Sequence, residues 1–226
     1  MENWQAAIRF LVFCAVSISL PLPLNAASAP HKVVFTFGGL SERSGALFVA
    51  QDAGIFRKHG LDAQVVNVRS GQVGMAALAS GETQFHAGSA TGASIGAMGG
   101  GLDLVFIAGL INKLDGTFVV NPSIKTPADL KGKTIAVQSI GGGIWMFTML
   151  AFEHWGLNPE RDGIKLRVVS DQAVIAQSIA AGMVDGGYLG YTFGAQLERQ
   201  GFRILADLAK LGIPYQGLGI MARRSL

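Results

Sequence analysis

Short β-rich segments alternate with helical segments along most of the chain, and a glycine often stands where one ends. Residues 32–37 form the first β-rich run, and residues 45–59 carry an apolar stripe at helical spacing that ends at Gly60. Strands that alternate with helices of this length are typical of βαβ units, in which the strands run mainly parallel. The alternation therefore predicts an α/β fold with mainly parallel sheets.

The same order of elements continues towards the last residues. Further helices are predicted over residues 72–80, 91–98, 144–155, 172–181 and 192–200. Further strands are predicted over residues 63–68, 84–88, 102–108, 134–138, 164–169, 184–189, 202–205 and 217–221. No run after residue 27 is long and apolar enough to span a bilayer.

An internal repeat divides the chain into two halves. Residues 76–82 and 177–183 both read as the end of a helix, a glycine stop and the approach to a strand. The repeat predicts two similar lobes, joined near residues 114–119. The predicted lobes are residues 28–115, with 217–226 returning to them, and residues 116–216. Chance similarity between two glycine-stopped helices is the alternative interpretation.

The first 27 residues have the order of a secretory signal peptide. Arg9 precedes an apolar run over residues 10–20, Pro21 and Pro23 end the run, and small residues follow up to Ala27. The alternative is a membrane anchor, but the run is short of the ~20 apolar residues that a spanning helix needs. We therefore predict a cleaved signal peptide and a periplasmic mature chain.

Composition argues against several classes of function. The formal net charge is only +3 and no run of Lys or Arg occurs, so the chain lacks the basic patch typical of nucleic-acid binding. Its single cysteine, Cys14, allows neither a disulfide framework nor a cysteine zinc site, and its four histidines are scattered. No P-loop, HExxH motif or nucleophile triad is recognised. We expect neither a metal nor a cofactor.

Four turns that follow predicted strands contain glycines or residues with hydroxyl or aromatic side chains. In open α/β sheets, ligands bind beyond the carboxyl ends of the strands, next to helix N-termini that carry about half a positive charge. Glycine lets backbone N–H groups approach a solute closely. These turns therefore predict a site for a small polar or anionic solute. Its candidate residues are Ser41, Arg43, Ser44, Ser89, Thr91, Ser139, Gly141, Gly142, Gly143, Tyr188 and Tyr191.

Several of these side chains also have a purely structural interpretation. Ser89 and Thr91 stand where a predicted helix begins, and both residue types are common N-caps. Arg43 pairs either with an anionic solute or with its neighbour Glu42 at the surface. His86 lies within a strand predicted to be buried, so we expect it to be a core histidine.

Four short motifs carry a family resemblance. They are Gly-Ile-Phe-Arg-Lys-His-Gly-Leu-Asp at residues 54–62, and the segments 77–82, 129–137 and 180–186. In this order and spacing they resemble the periplasmic substrate-binding proteins of the nitrate/sulfonate/taurine importer class. The resemblance implies a type 2 periplasmic-binding-protein fold, in which two α/β lobes close on a small solute. It also implies that an ABC importer permease and its ATPase subunits are the partners.

The resemblance leaves two alternatives, an enzyme on the same fold and a solute sensor without a role in transport. The thiamine-pyrimidine synthases share this architecture but need a cysteine-rich motif, and the chain after residue 27 has no cysteine. A transcription regulator would need a helix-turn-helix ahead of residue 33, where the signal peptide is predicted. We therefore expect a binding protein without catalytic residues.

The chain ends directly after the predicted return strand, whereas members of this class usually continue with further helices. Parallel sheets are normally covered on both faces, and uncovered apolar surface costs stability. The sequence therefore predicts a truncated first lobe and a marginally stable or self-associating chain.

Overall fold

The computed structural model describes residues 29–68 and 70–226. The predicted signal peptide, residues 1–27, lies outside the described residues, as does Cys14. Within the part of the chain that is described, no helix is both long and apolar enough to cross a bilayer.

Strands and helices alternate as the sequence predicted, and the α/β class is confirmed. The strands are β1 (His31–Gly38), β2 (Leu61–Val68), β3 (Phe85–Gly88), β4 (Leu104–Lys113), β5 (Thr117–Val120), β6 (Thr134–Val137), β7 (Lys165–Val168), β8 (Gly186–Leu189), β9 (Arg203–Asp207) and β10 (Pro214–Arg223). The helices are α1 (Gly45–Asp52), α2 (Ile55–Lys58), α3 (Gly71–Ser80), α4 (Gly92–Gly99), α5 (Gly143–His154), α6 (Gln172–Ala180) and α7 (Tyr191–Arg199). Short 3-10 helices cover Glu42–Ser44, Pro127–Leu130 and Leu208–Leu211.

The strands form two five-stranded sheets with equivalent strand orders. The first sheet runs β2-β1-β3-β10-β4, and the second runs β7-β6-β8-β5-β9. One strand in each sheet is antiparallel to both of its neighbours, β10 in the first and β5 in the second, and the other strands point one way. The expectation of mainly parallel sheets is therefore confirmed. The bounds of the two lobes stay a prediction.

Each sheet has its own apolar core. Around the second sheet, Phe118, Phe147 and Phe152 are buried in one large cluster. Against the first sheet, the Phe35 ring stacks on those of Phe56 and Phe85, with centroid distances of 5.0 and 4.5 Å. Burial of such rings drives each sheet to pack with its helices. The strand ends, and the turns that follow them, are thereby held in place.

The structure differs from the predicted elements in two places. The helix predicted over residues 45–59 is divided into α1 and α2, because Gly54 adopts a left-handed conformation with φ of 67°. The connection predicted near residues 114–119 contains a strand, β5, which pairs with β8 and β9. All four residues of β5 are buried, so it lacks the alternation by which a half-buried strand is recognised.

Candidate functional site

A cleft lies between the two sheets, beyond the ends of β1, β3 and β6. It encloses about 90 Å³ of space. This is the volume open to the centre of a water molecule, of which a single water needs roughly 10–15 Å³. The cleft therefore has room for several waters or a small solute. Residues from both sheets line it, as expected for a site beyond the carboxyl ends of strands.

The structure brings together most of the candidate residues chosen from the sequence. Seven of them line the cleft: Ser41, Arg43, Ser44, Ser89, Thr91, Gly142 and Gly143. The other four are described by the structure but lie outside its lining: Ser139, Gly141, Tyr188 and Tyr191.

The N-terminus of α5 opens into the cleft without a side-chain cap. Its N-cap residue is Gly142, which makes no capping hydrogen bond, and both Gly142 and Gly143 line the cleft. The first backbone N–H groups of a helix have no partner within the helix, and they carry the positive end of its dipole. An anionic or strongly polar group is therefore favoured at this point of the cleft.

Ser139 and Gly141 shape the turn that leads into α5. The carbonyl of Ser139 accepts a hydrogen bond from the Gly142 N–H at 3.2 Å, and Gly141 adopts a φ of 76°. The Ile140 carbonyl accepts a hydrogen bond from Nε2 of Gln72, at the start of α3, at 3.1 Å. This turn therefore also joins the second sheet to the first.

Ser89 and Thr91 make the structural contacts that were the alternative to solute binding. The Thr91 hydroxyl caps α4 by accepting from the Ser94 N–H at 3.1 Å, and Ser94 Oγ accepts from the Thr91 N–H at 2.8 Å. The Ser89 hydroxyl donates to the carbonyl of Gly217 at 2.6 Å. Both hydroxyls face the cleft, but each hydroxyl already has a partner in the protein.

Arg43 is held by the protein on several sides. Its guanidinium lies 3.4 Å from the Asp115 carboxylate, donates to the Gly217 carbonyl and to the Tyr188 hydroxyl, and stands 4.7 Å from the centre of the Phe147 ring. Burial raises the pKa of Asp115, and the charge of Arg43 opposes that rise. Asp115 therefore compensates the charge of Arg43, and no sequence motif pointed to Asp115.

Tyr188 lies behind Arg43, outside the cleft lining to which the sequence analysis had assigned it. Its side chain is fully buried, and its ring centre lies 4.9 Å from that of Phe147. Burial raises the pKa of its hydroxyl well above the usual range. A Cβ at Gly116 would lie 2.6 Å from the ring, so glycine is needed there to admit it.

The turn between β8 and α7 does not present free N–H groups to the cleft, because Glu42 occupies it. Glu42 Oε1 accepts a hydrogen bond from the Tyr191 N–H at 2.7 Å, and Oε2 lies 3.5 Å from the Thr192 nitrogen. The Tyr191 hydroxyl donates to Asp207 at 2.9 Å, and its pKa is raised to about 12, mainly by partial burial. Glu42 therefore pairs with a helix of the second sheet rather than with Arg43.

His86 lies against the cleft, and within the described residues only one of its ring nitrogens has a partner. Nδ1 is 2.9 Å from the Thr36 hydroxyl, whereas Nε2 is buried with no hydrogen-bond partner among the described residues. Burial lowers the pKa of His86 to about 4. His86 is therefore a neutral imidazole in the cleft wall. From the sequence we expected a core histidine, because the strand pattern indicates burial but not contact with a cleft.

The chain has recognisable relatives. A family model described as NMT1/THI5 like matches residues 42–226. A comparison with curated protein sequences gave no match. Among solved structures, the alkanesulfonate-binding protein SsuA from Xanthomonas axonopodis pv. citri, bound to MOPS, aligns with a TM-score of 0.71 at 23% identity, over 88% of this chain and 67% of that one.

Two further structures resemble the chain. The periplasmic aliphatic sulphonate binding protein SsuA from Escherichia coli aligns with a TM-score of 0.67 at 23% identity, over 87% of this chain and 66% of that one. A conserved gene product of Candida albicans has the generic periplasmic binding protein fold. It aligns with a TM-score of 0.66 at 16% identity, over 87% of this chain and 64% of that one.

These structures show the fold, and this chain spans about two thirds of their length. The expected periplasmic-binding-protein fold is confirmed, as is the family resemblance read from the four motifs. The family model covers most of the chain, from the segment that holds Arg43 to the last residue. The chain therefore belongs to the NMT1/THI5-like family.

Proposed function

We propose that this chain is the extracytoplasmic solute-binding component of an ABC importer, and that it binds a small polar or anionic organic solute in the cleft. The observation that carries the proposal is the uncapped N-terminus of α5, where Gly142 and Gly143 open into a cavity between the two sheets. Backbone N–H groups at such a position bind anions without a charged side chain.

The charges around the cleft favour a solute of low charge. The Asp115 carboxylate lies 3.4 Å from the Arg43 guanidinium, so this cation is largely compensated within the protein. The remaining attraction comes from the helix dipole of α5, which is equivalent to about half a positive charge at its N-terminus. A singly charged or strongly polar head group suits this environment. The SsuA relatives bind alkanesulfonates, which are organic anions of this kind.

The proposal includes delivery of the solute to a membrane permease and its ATPase. It also includes export through the signal peptide at residues 1–27. Delivery rests on the family resemblance, and export rests on the order of charged, apolar and small residues in residues 1–27. N-terminal sequencing of protein recovered from the periplasm should begin near Ala27 or Ser28, and a cytosolic protein that retains Met1 would contradict export.

We propose binding rather than catalysis, although the name of the family also refers to enzymes. The thiamine-pyrimidine synthases depend on a cysteine-rich motif, and Cys14, in the predicted signal peptide, is the single cysteine of this chain. Solutes recovered unchanged after prolonged incubation with the protein would support binding. Turnover of a pyrimidine precursor would overturn it.

A thermal-shift screen followed by calorimetry tests the proposed function. The panel is nitrate, taurine, alkanesulfonates, dicarboxylates and, as uncharged members, pyrimidines. We expect at least one of the polar or anionic solutes to raise the melting temperature and to bind with one-to-one stoichiometry. Failure of the whole panel would contradict the proposed solute class.

Gly143→Asp, with Gly143→Asn as its matched control, tests the role of α5. A Cβ at Gly143 would lie 3.3 Å from the Ser89 hydroxyl, so a side chain there enters the cleft with little displacement. An aspartate at the first turn stabilises a helix but repels an anion from the same N–H groups. We expect Gly143→Asp to bind the anion at least about ten-fold more weakly than Gly143→Asn, without loss of stability. Equal affinities would remove α5 from the site.

A further inference from the structure

We propose that His86 contacts the solute through Nε2, which acts as a hydrogen-bond acceptor, so that the solute carries a hydroxyl or N–H donor in addition to its anionic group. This inference rests on the proposed function, and it adds the donor requirement to the solute class. The observations that support it are the partners of the imidazole, the burial of Nε2 and the two glycines of the cleft lining that lie next to it.

The partners of Thr36 determine which ring nitrogen carries the proton. The Thr36 hydroxyl lies 2.9 Å from His86 Nδ1 and 3.3 Å from the carbonyl of Phe85. A hydroxyl has one hydrogen, and a carbonyl can only accept. Both contacts are hydrogen bonds only if Thr36 donates to Phe85 and Nδ1–H donates to Thr36. The proton then lies on Nδ1, and Nε2 presents a lone pair.

Nε2 is a buried polar atom that lacks a partner within the described residues. Buried polar atoms nearly always have partners, so an exception calls for an explanation such as a ligand. His86 is among the residues that line the cleft. Because burial keeps the imidazole neutral, with a pKa of about 4, Nε2 remains an acceptor near neutral pH.

Two glycines of the cleft lining lie next to Nε2, and the Met221 side chain also approaches Gly88. Gly71 and Gly88 both line the cleft, and an added Cβ would lie 3.9 Å from Nε2 at Gly71 and 2.8 Å from it at Gly88. No side chain at these two positions has to move for a small donor group to approach. A solute whose anionic group lies at α5 can therefore direct a hydroxyl or N–H group towards His86.

The test compares two pairs of probes that differ by one hydroxyl group. The pairs are 2-hydroxyethanesulfonate with ethanesulfonate, and 3-hydroxypropionate with propionate. For the wild-type protein we expect the hydroxylated member of at least one pair to bind at least ten-fold more tightly. We expect His86→Phe, which keeps a ring but removes both nitrogens, to bind the two members equally.

A measurement on the wild-type protein covers the case in which His86→Phe does not fold. In ¹⁵N spectra we expect His86 Nε2 to have the shift of an unprotonated nitrogen, and to move when the hydroxylated probe is added but not when its partner is added. Thr36→Val removes the hydroxyl that contacts Nδ1. We expect this variant to show a mixture of the two neutral tautomers and a reduced preference for the hydroxylated probe.

Failure of this inference is distinguishable from failure of the proposed function. Equal affinity within both pairs, or a protonated Nε2, would overturn the inference and leave anion binding intact. Binding of nitrate without binding of any of the four probes would also overturn the inference and leave anion binding intact. Absence of binding by every anion tested would overturn both.

Discussion

His86 illustrates how much a single position depends on its neighbours. An added Cβ at Gly74 would overlap the imidazole, and one at Gly88 would lie 2.8 Å from Nε2. The ring therefore fits because α3 and the end of β3 have no side chains at these positions. Thr36, on the neighbouring strand, fixes the orientation of the ring through Nδ1.

The lowered pKa of His86 predicts a loss of stability in mild acid. The pKa falls from 6.5 to about 4 on folding, so between these values the unfolded chain binds a proton that the folded chain does not. The free energy of unfolding should therefore fall as the pH decreases from about 6.5 to about 4, by up to roughly 3 kcal/mol. Urea unfolding at several pH values measures this.

The matched variants for this measurement are His86→Gln and His154→Gln. We expect His86→Gln to lose this part of the pH dependence, because glutamine does not titrate. His154 is exposed at the end of α5, and its replacement should leave the dependence unchanged. Identical pH profiles for wild type and His86→Gln would contradict the assignment.

At the scale of elements, glycines act in opposite ways according to their backbone conformation. Gly54 separates α1 from α2 with a left-handed φ of 67°, and its added Cβ would meet no neighbour. Gly96 lies inside α4, has an ordinary helical φ, and its added Cβ would also meet open space. Conformation alone therefore distinguishes the two positions.

Gly54→Ala and Gly96→Ala should change stability in opposite directions. Alanine in the left-handed region costs roughly 1–2 kcal/mol, so Gly54→Ala should lower the free energy of unfolding by about that amount. Alanine inside a helix is more favourable than glycine by about 0.5–1 kcal/mol, so Gly96→Ala should raise it. Thermal or urea unfolding of the two variants measures these changes. A change of the same sign in the free energy of unfolding of both variants would contradict this explanation.

At the scale of the whole molecule, contacts across the cleft hold the two sheets in their relative position. Glu42, which follows β1 of the first sheet, accepts a hydrogen bond from the Tyr191 N–H of α7. Gln72 at the start of α3 donates to the Ile140 carbonyl before α5. Arg43 reaches both Asp115, between β4 and β5, and Gly217 in β10. Arg43 therefore joins β10 and the connection between β4 and β5 to the cleft wall.

Removal of the Glu42 charge should weaken the contact between the sheets. A carboxylate at a helix N-terminus contributes about 0.3–1 kcal/mol, so Glu42→Gln should reduce stability by this amount. Hydrogen exchange at the amides of Tyr191 and Thr192 should become faster. Glu82→Gln, at an exposed position in the turn between α3 and β3, is the control. Unchanged exchange at both amides would show that Glu42 does not hold α7.

One of the two edges of the first sheet predicts self-association. β4 forms that edge, and Ile107 and Leu110 in it are 55% and 43% exposed. Exposed apolar edge strands pair readily with other chains. Sedimentation should therefore show association that grows with concentration, and Ile107→Lys should reduce it. Val49→Lys removes an apolar side chain on α1 that is 62% exposed, and it should not reduce the association. A wild-type chain that stays monomeric at high concentration would contradict this.

The sequence alone was enough to predict the α/β class, most element positions, the family and much of the cleft. These features are local, because glycine stops and apolar periodicity act within about a dozen residues. The cleft residues at Ser41, Ser89 and Gly142 could be predicted because each follows a strand, and strand ends meet at the same edge of a sheet.

The tertiary structure decided which partner each polar group took. Arg43 pairs with Asp115, and Glu42 occupies the N-terminus of α7, although sequence had left Arg43 between its neighbour Glu42 and a solute. Tyr188 packs behind Arg43, and one nitrogen of His86 has no partner in the part of the chain that the structure describes. These partners lie far apart in sequence and meet only when the fold brings the strand ends, and the turns that follow them, together. Local patterns carry no information about that packing, so the chemistry of the cleft could be read only from the folded chain.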